Sequence, residues 1–476
     1  MAAEGGNAVD AAVAAMLVAM ISEPGVCSLG GGGFITIWGD HPAVTIDGYM
    51  EMPGRGLPPE AFGNGYSEVT MEYGGGVTTQ IGFGTVATPG GLKVLSAANE
   101  RYGVVPWSYV LAPTIEVADQ GFPLSDSAAH YLTFSHEPLF GLDPVGYAAL
   151  AQDGRTKVAG ETIVVPNLAD TLEAIAAEGV GLFYEGEIAV ALAETMAKEG
   201  GILTRRDLAL YRELYREPIM AEFGEWTIAT NPGPAIGGAT LAAMLELLAG
   251  GEGSYIDIQL AVLGYRRDRL DDAVDRSAAV ATLLALARSA EWRSLLTSPS
   301  TVHVSAVDRD GIGCAITMSA GYGSGVMAPD TGIWLNNALG EVELNRRGFH
   351  ALPVGERLIS NMAPTVAKSH LGSTVAIGSP GADRITTAMA STLANLAEGH
   401  SLSEAIEAPR CHVEFTDEGP RVAAEPGVNV EGAELPIRWF DNLDMFFGGV
   451  AAALVHADHR TEAAADPRRT GGTAYG

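Results

Sequence analysis

The stretch Thr301-Val302-His303-Val304-Ser305-Ala306-Val307-Asp308 places a hydroxyl residue where it could serve as a nucleophile. A threonine hydroxyl is weak until a base takes its proton, and one recognised base is the α-amine of the same residue at a chain start. That amine titrates near roughly 7.7–8.0, so a useful fraction is unprotonated at neutral pH. An internal threonine has no such amine. Thr301 can therefore work in this way only if the chain is cut before it. The competing reading is an ordinary strand residue, because the stretch alternates with the period of a half-buried strand.

The octapeptide resembles the Thr-x-His-x-Ser-x-x-Asp motif that opens the small subunit of the gamma-glutamyltranspeptidase family. Other fragments follow in family order: Gly5-Gly6-Asn7-Ala8-Val9-Asp10, Gly30-Gly31-Gly32-Gly33-Phe34, Arg101-Tyr102-Gly103, Gly121-Phe122-Pro123, Phe183-Tyr184-Glu185-Gly186 and Arg216-Glu217-Pro218. Beyond Thr301 come Leu335-Asn336-Asn337, Met362-Ala363-Pro364-Thr365, Gly378-Ser379-Pro380-Gly381, Ala408-Pro409-Arg410-Cys411-His412 and Asp466-Pro467-Arg468. Each is weak alone, and their shared order over nearly the whole chain carries the resemblance. It implies an α+β fold, a four-layer αββα sandwich of the N-terminal-nucleophile hydrolase type. It also implies a precursor that cuts itself into a large segment, 1–300, and a small segment, 301–476, interwoven in one compact unit.

The resemblance assigns roles residue by residue. Thr301 is the expected nucleophile, and Ser319 stands for a family threonine whose hydroxyl supports it. Gly381 and Ala382 stand for a Gly-Gly pair whose backbone N–H groups hold the oxyanion. Asn336 and Asn337 are expected to brace a loop. The plain reading of 378–382 is a tight turn after a strand, and of Ser319 a polar residue at a strand end.

Substrate recognition departs from the family pattern. Selecting a gamma-glutamyl group needs a cation for its α-carboxylate and an anion for its α-ammonium. Aligned on Asp47 and Pro53, the family arginine is replaced by Tyr49, and Arg55 nearby in sequence is a candidate substitute cation. The residues after Asn-Asn become Ala338 and Glu341, of which Glu341 can still bind an ammonium. Ser360 is retained from a serine pair, and its neighbour becomes Asn361. The expected substrate is thus a small molecule with a gamma-glutamyl or related acyl group. Alternatives are a homologue in bacterial secondary metabolism that hydrolyses another amide or a carbon–carbon bond, and an unprocessed, non-catalytic binding protein. A serine hydrolase is disfavoured, because no Gly-x-Ser-x-Gly elbow occurs.

Composition narrows the partners. With 28 basic against 58 acidic residues the formal charge is −30, which repels nucleic acid and anionic membrane. Besides the substrate, the expected partners are the two fragments of one precursor, with a homodimer left open. Residues 8–21 are apolar but interrupted by Asp10, and they are shorter than the ~20 residues a spanning helix needs. No basic stretch precedes them, so they read as a buried helix and the chain as cytoplasmic. Cys27, Cys314 and Cys411 lack a Cys-x-x-Cys pair and read as packed thiols. His456 and His459 have no spaced third ligand, so neither a metal nor another cofactor is expected.

These residues need elements to hold them. Segments 302–307 and 313–319 read as adjacent antiparallel strands joined by a turn at 308–311, and 374–377 as a short strand. Segments 169–178, 188–198 and 208–213 read as helices.

Overall fold

A computed structural model describes residues 1–72, 76–251, 253–271, 273–288, 302–416, 418–430 and 433–476. The chain divides into two compact units. The first comprises Met1–Gly33, Ile46–Leu214 and Met318–Leu358, and the second Phe34–Thr45, Tyr215–Thr317 and Ile359–Gly476. Each unit therefore draws on chain from both sides of residue 301.

The first unit is largely helical. Its opening helix, Ala8–Ser22, is apolar nearly all round, as a fully buried helix must be. Asn7 caps it by accepting from the N–H groups of Val9 and Asp10, and the Asp10 carboxylate returns the bond to Asn7 N–H. Asp10, the residue that interrupts the apolar run, is itself fully buried. It also accepts from Asn99 Nδ2 at 2.9 Å and Val104 N–H at 3.0 Å. A buried carboxylate persists only when so satisfied. This one ties the first helix to the end of the Gly91–Tyr102 helix.

Most residues of both large sheets belong to the second unit. One sheet runs in the order Val302–Val307, Gly313–Ser319, Gly32–Trp38, Val44–Gly48, Leu214–Arg216. The other runs Ile219–Phe223, Trp226–Thr230, Thr365–Ser369, Thr374–Gly378, Ala451–Val455, Thr461–Ala465. The Val302–Val307 strand packs on Thr374–Gly378 and Ala451–Val455. Ala315, Val366 and Ala376 are fully buried between the sheets with Trp38 and Val307 against them. Helices Gly237–Gly250 and Arg384–Ala397 cover the six-stranded sheet. Thr374–Gly378 is buried along its whole length, which explains its unbroken apolar run instead of alternation.

The end of this sheet is locked by two of the fragments picked out in the sequence. Arg410 pairs with Asp466 at 2.6 Å, and Arg468 bonds Glu425 at 2.7 Å and Asp466 at 3.1 Å. The two strands at 302–307 and 313–319 have the bounds expected from the sequence. The helix expected at 208–213 instead spans Arg205–Leu210. Thr204 and Asp207 form a capping box that starts it earlier, and Tyr211 is already extended. All three cysteines are buried, and none is in a disulfide among the described residues.

Candidate active site

Thr301 lies outside the described residues, and the strand it precedes is well defined. His303 and Ser305 alternate onto one face of that strand. Ser305 donates its proton to Ala451 O at 3.2 Å, so the 2.7 Å contact with His303 requires the proton on His303 Nε2. Nδ1 is left to accept from Thr317 Oγ1 at 2.8 Å. Burial pulls the His303 pKa down to about 3, and the ring is neutral. Its face lies on Gly378, where a Cβ would stand 2.3 Å from Nδ1. The ring thus clamps the strand to three neighbours: Gly313–Ser319, Thr374–Gly378 and Ala451–Val455.

The strand Thr374–Gly378 runs into a strained turn. Gly381 has φ 122° and Ala382 has φ 71°, in the region that favours glycine. Gly381 cannot carry a side chain, since a Cβ would meet Gly448 Cα at 2.6 Å. Their carbonyls accept from the N–H groups of Arg384 and Ile385 and so enter the next helix. Both residues are buried, and among the described residues neither of their own N–H groups has a partner. Buried amides are nearly always paired, so an unpartnered pair of donors here is a place for an acceptor atom.

A side-chain cluster missed by sequence reasoning follows this turn. Asp383, next after Ala382, bonds His412 Nε2 at 3.1 Å and pairs with Arg384. His412 Nδ1 meets Thr387 Oγ1 at 3.1 Å. Burial pushes the Asp383 carboxyl up, but Arg384 and His412 beside it win and hold it well below the usual range. His412 was legible only as part of a fragment, because no spacing rule links it to Asp383.

Ser360 is also in the second unit, with its carbonyl accepting from Ile236 N–H at 2.8 Å and its Oγ from Met362 N–H at 3.2 Å. Asn361 beside it is 3% exposed.

In the first unit Ser319 and Glu341 meet at one turn. Ser319 Oγ accepts from Gly321 N–H at 2.8 Å, and a Cβ on Gly321 would stand 3.0 Å from Glu341 Oε1. Burial, and then the charge of Glu343, raise the Glu341 carboxyl well above the usual range. Asn337 braces this turn, accepting from Tyr322 N–H at 2.8 Å and donating to Thr79 and Gln80. Asn336 accepts from Ala87 and Ala338 and donates to Gly30 and Ala87.

Tyr49 belongs to a different part of this unit. It is buried, its N–H donates to Asp47 and its carbonyl accepts from Tyr211 OH. Arg55 is not a replacement cation with spare capacity. It pairs with Asp207 at 3.0 Å and Glu51 at 3.1 Å. A second arginine that sequence reasoning missed, Arg357, is held between Asp47 at 3.2 Å and Glu51 at 2.6 Å, under the Tyr211 ring at 4.5 Å. These three carboxylates explain why two arginines are tolerated here, for a buried cation persists only when paired.

His456 bonds Glu462 at 2.8 Å, and His459 bonds the Arg309 carbonyl at 3.0 Å. No helix among the described residues is long and apolar enough to cross a membrane.

The chain is similar to several known proteins. The chain is 29% identical over 516 residues to the glutathione hydrolase proenzyme of Escherichia coli K12, covering 98% of this chain and 87% of that protein. It is 31% identical over 446 residues to the acylase ACY 1 proenzyme of Pseudomonas sp. SE83, covering 86% and 79%. Among solved structures, cephalosporin acylase from Bacillus halodurans superposes with a TM-score of 0.82 at 24% identity, covering 99% and 92%. That likeness gives the fold, the α+β fold of N-terminal-nucleophile hydrolases. The sequence model of gamma-glutamyltranspeptidase matches residues 1–261 and 262–476, and the chain belongs to the gamma-glutamyltranspeptidase family.

Proposed function

We propose that this protein is a self-processing threonine hydrolase or acyltransferase that cleaves a gamma-glutamyl or related acyl group from an amide. Maturation cuts between Ser300 and Thr301 by an N-to-O acyl shift through the Thr301 hydroxyl, leaving fragments of 1–300 and 301–476. The names of the two proenzyme relatives support this reading.

In the reaction Thr301 Oγ attacks the amide carbonyl carbon, and its proton passes to the Thr301 α-amine. The carbonyl oxygen becomes an oxyanion held by the N–H groups of Gly381 and Ala382. Collapse breaks the carbon–nitrogen bond, and the leaving amine takes the proton from the ammonium. Water, or an acceptor amine, then opens the acyl ester and restores the hydroxyl. Ser319 keeps the supporting role, and Glu341, Ser360, Asn361 and Tyr49 the substrate-binding roles, that the family resemblance implies for them. The observation that carries the reading is the pair of buried, unpartnered amides at Gly381 and Ala382.

The acyl group need not be gamma-glutamyl. Arg55 is engaged by two carboxylates, and Tyr49 stands in the family arginine's place, so an acylase-like specificity has specific support. The test is electrophoresis and intact mass of parent and Thr301→Ala, each incubated with gamma-glutamyl and other acyl anilides in the presence of hydroxylamine. The parent should split into 300 and 176 residues (476 − 300) and yield an acyl hydroxamate, while Thr301→Ala stays whole and inert. A variant that still splits at the same bond refutes self-processing by this residue.

A further inference from the structure

Gly381 to Arg384 form a four-residue turn, closed by Arg384 N–H donating to Gly381 O at 3.0 Å. The second residue of the turn has φ 71°, and turns with a positive φ at that place ordinarily take glycine there. Here the residue is Ala382, whose Cβ makes the left-handed conformation costly. A residue strained in this way persists only where its surroundings over-determine it. The upstream flank is held, because Gly449 N–H donates to Ser379 Oγ at 3.0 Å and Gly448 lies against Gly381.

Asp383 holds the downstream flank, in a way that helix capping does not explain. It is the N-cap of the helix Arg384–Ala397, a position from which an aspartate ordinarily accepts from the first free N–H groups of the helix. It makes no such bond. Its oxygens are engaged elsewhere, Oδ1 by Arg384 and Oδ2 by the Nε2–H of His412 at 3.1 Å. Burial raises the Asp383 carboxyl, but Arg384 and His412 outweigh it, so the group stays ionised and only accepts. His412 can serve as its anchor. It is 1% exposed and belongs to the strand Cys411–Thr416, which is bonded along its length to Gly419–Ala424. Its Nδ1 stands 3.1 Å from Thr387 Oγ1, in the first turn of the same helix. The ring thus ties both the residue before the helix and the helix's first turn to that strand.

We propose that His412 is a positioning residue for the acyl transfer: by holding Asp383 it keeps Ala382 left-handed, and so keeps the N–H groups of Gly381 and Ala382 facing one acceptor. The inference rests on the acyl-transfer reading above and adds to it a residue that touches no reacting atom. The peptide plane between Gly381 and Ala382 carries the Ala382 N–H, and its tilt is set by the dihedrals on either side. Relaxation at Ala382 would therefore turn one donor away, and loss of one such donor costs about 10²–10³ in kcat.

The experiment has a stability arm and a turnover arm, run on parent, His412→Leu, His412→Gln and Asp383→Ala. Leu removes the bond, Gln returns an N–H donor at the reach of Nε2, and Asp383→Ala cuts the same bond from its other end, so a folding failure in one variant leaves another. For the stability arm, Ala382→Gly is added to each of the four in the uncut Thr301→Ala chain. The glycine should raise the urea midpoint of the parent and of His412→Gln, and the gain should vanish in His412→Leu and Asp383→Ala, where the alanine has already relaxed. The turnover arm is read per mole of cleaved chain, with whichever of gamma-glutamyl and glutaryl 4-nitroanilide the parent cleaves. There kcat should fall about 100-fold in His412→Leu and Asp383→Ala with KM changed less than about threefold, and His412→Gln should stay within about fivefold of the parent. A variant that stays uncut is scored on the stability arm. An equal gain from Ala382→Gly in all four chains overturns the proposal, as does a loss that falls on KM with kcat kept. His412→Gln behaving like His412→Leu also overturns it, by making the ring's packing and not its bond the cause. The expected pattern of midpoints, with neither anilide cleaved by the parent, leaves the hold of His412 on Ala382 standing and sinks the acyl-transfer reading instead.

Discussion

His303 should make this protein acid-sensitive in a defined window. Its ring is neutral in the folded chain, accepting from Thr317 and donating to Ser305, with no room at Gly378 for a shift. Burial lowers its pKa from 6.5 to about 3. A histidine with a depressed folded pKa takes its proton in the unfolded state first, so stability falls as pH drops from the unfolded value toward the folded one. A full unit of separation is worth about 1.4 kcal/mol, and the unfolded imidazole is only half protonated at pH 6.5, so acidification from pH 6.5 to 4.5 should cost about 2 kcal/mol through this residue alone. The matched variant is His303→Asn, which at pH 8 should be less stable by about 2–4 kcal/mol from the lost ring packing and hydrogen bonds. Urea unfolding at pH 8, 6.5, 5.5 and 4.5 reads the difference between parent and variant, in which the other titrating groups cancel. That difference should shrink by about 2 kcal/mol between pH 6.5 and 4.5. A difference independent of pH, or one that widens in acid, would refute the argument, the latter by showing the folded imidazole to be charged.

Two further outcomes are expected. Ala382→Gly should stabilise the fold by about 1 kcal/mol, because a left-handed alanine is strained, while Gly381→Ala should cost several kcal/mol and abolish turnover, since its Cβ has no space beside Gly448; thermal unfolding and kcat together check the pair. Glu341→Gln should raise stability at pH 7 by about 1–3 kcal/mol, because a carboxyl raised by burial loses stability as pH climbs from about 4.5 to its folded pKa, and the amide carries no such penalty; urea unfolding at pH 4 and 7 should show the gain only at the higher pH.

The sequence by itself determined more about the strands than about the site. The segments 302–307 and 313–319 were legible because alternation and a Asp-Arg-Asp-Gly turn are local signals, and the ordered fragments were enough to indicate the family. The failure at 208–213 is also local, because the Thr204–Asp207 capping box starts the helix at Arg205, three residues before the apolar pattern placed it. What tertiary structure alone decided is which polar groups are left over. Arg55 reads as a candidate cation until Asp207, more than a hundred residues away in sequence, is found paired with it. Gly381 reads as a turn glycine until Gly448 is found against it, and Asp383 has no visible purpose until His412 closes on it. Hydrogen-bond satisfaction is a property of the whole three-dimensional neighbourhood, and a one-dimensional pattern records only each group's capacity to bond.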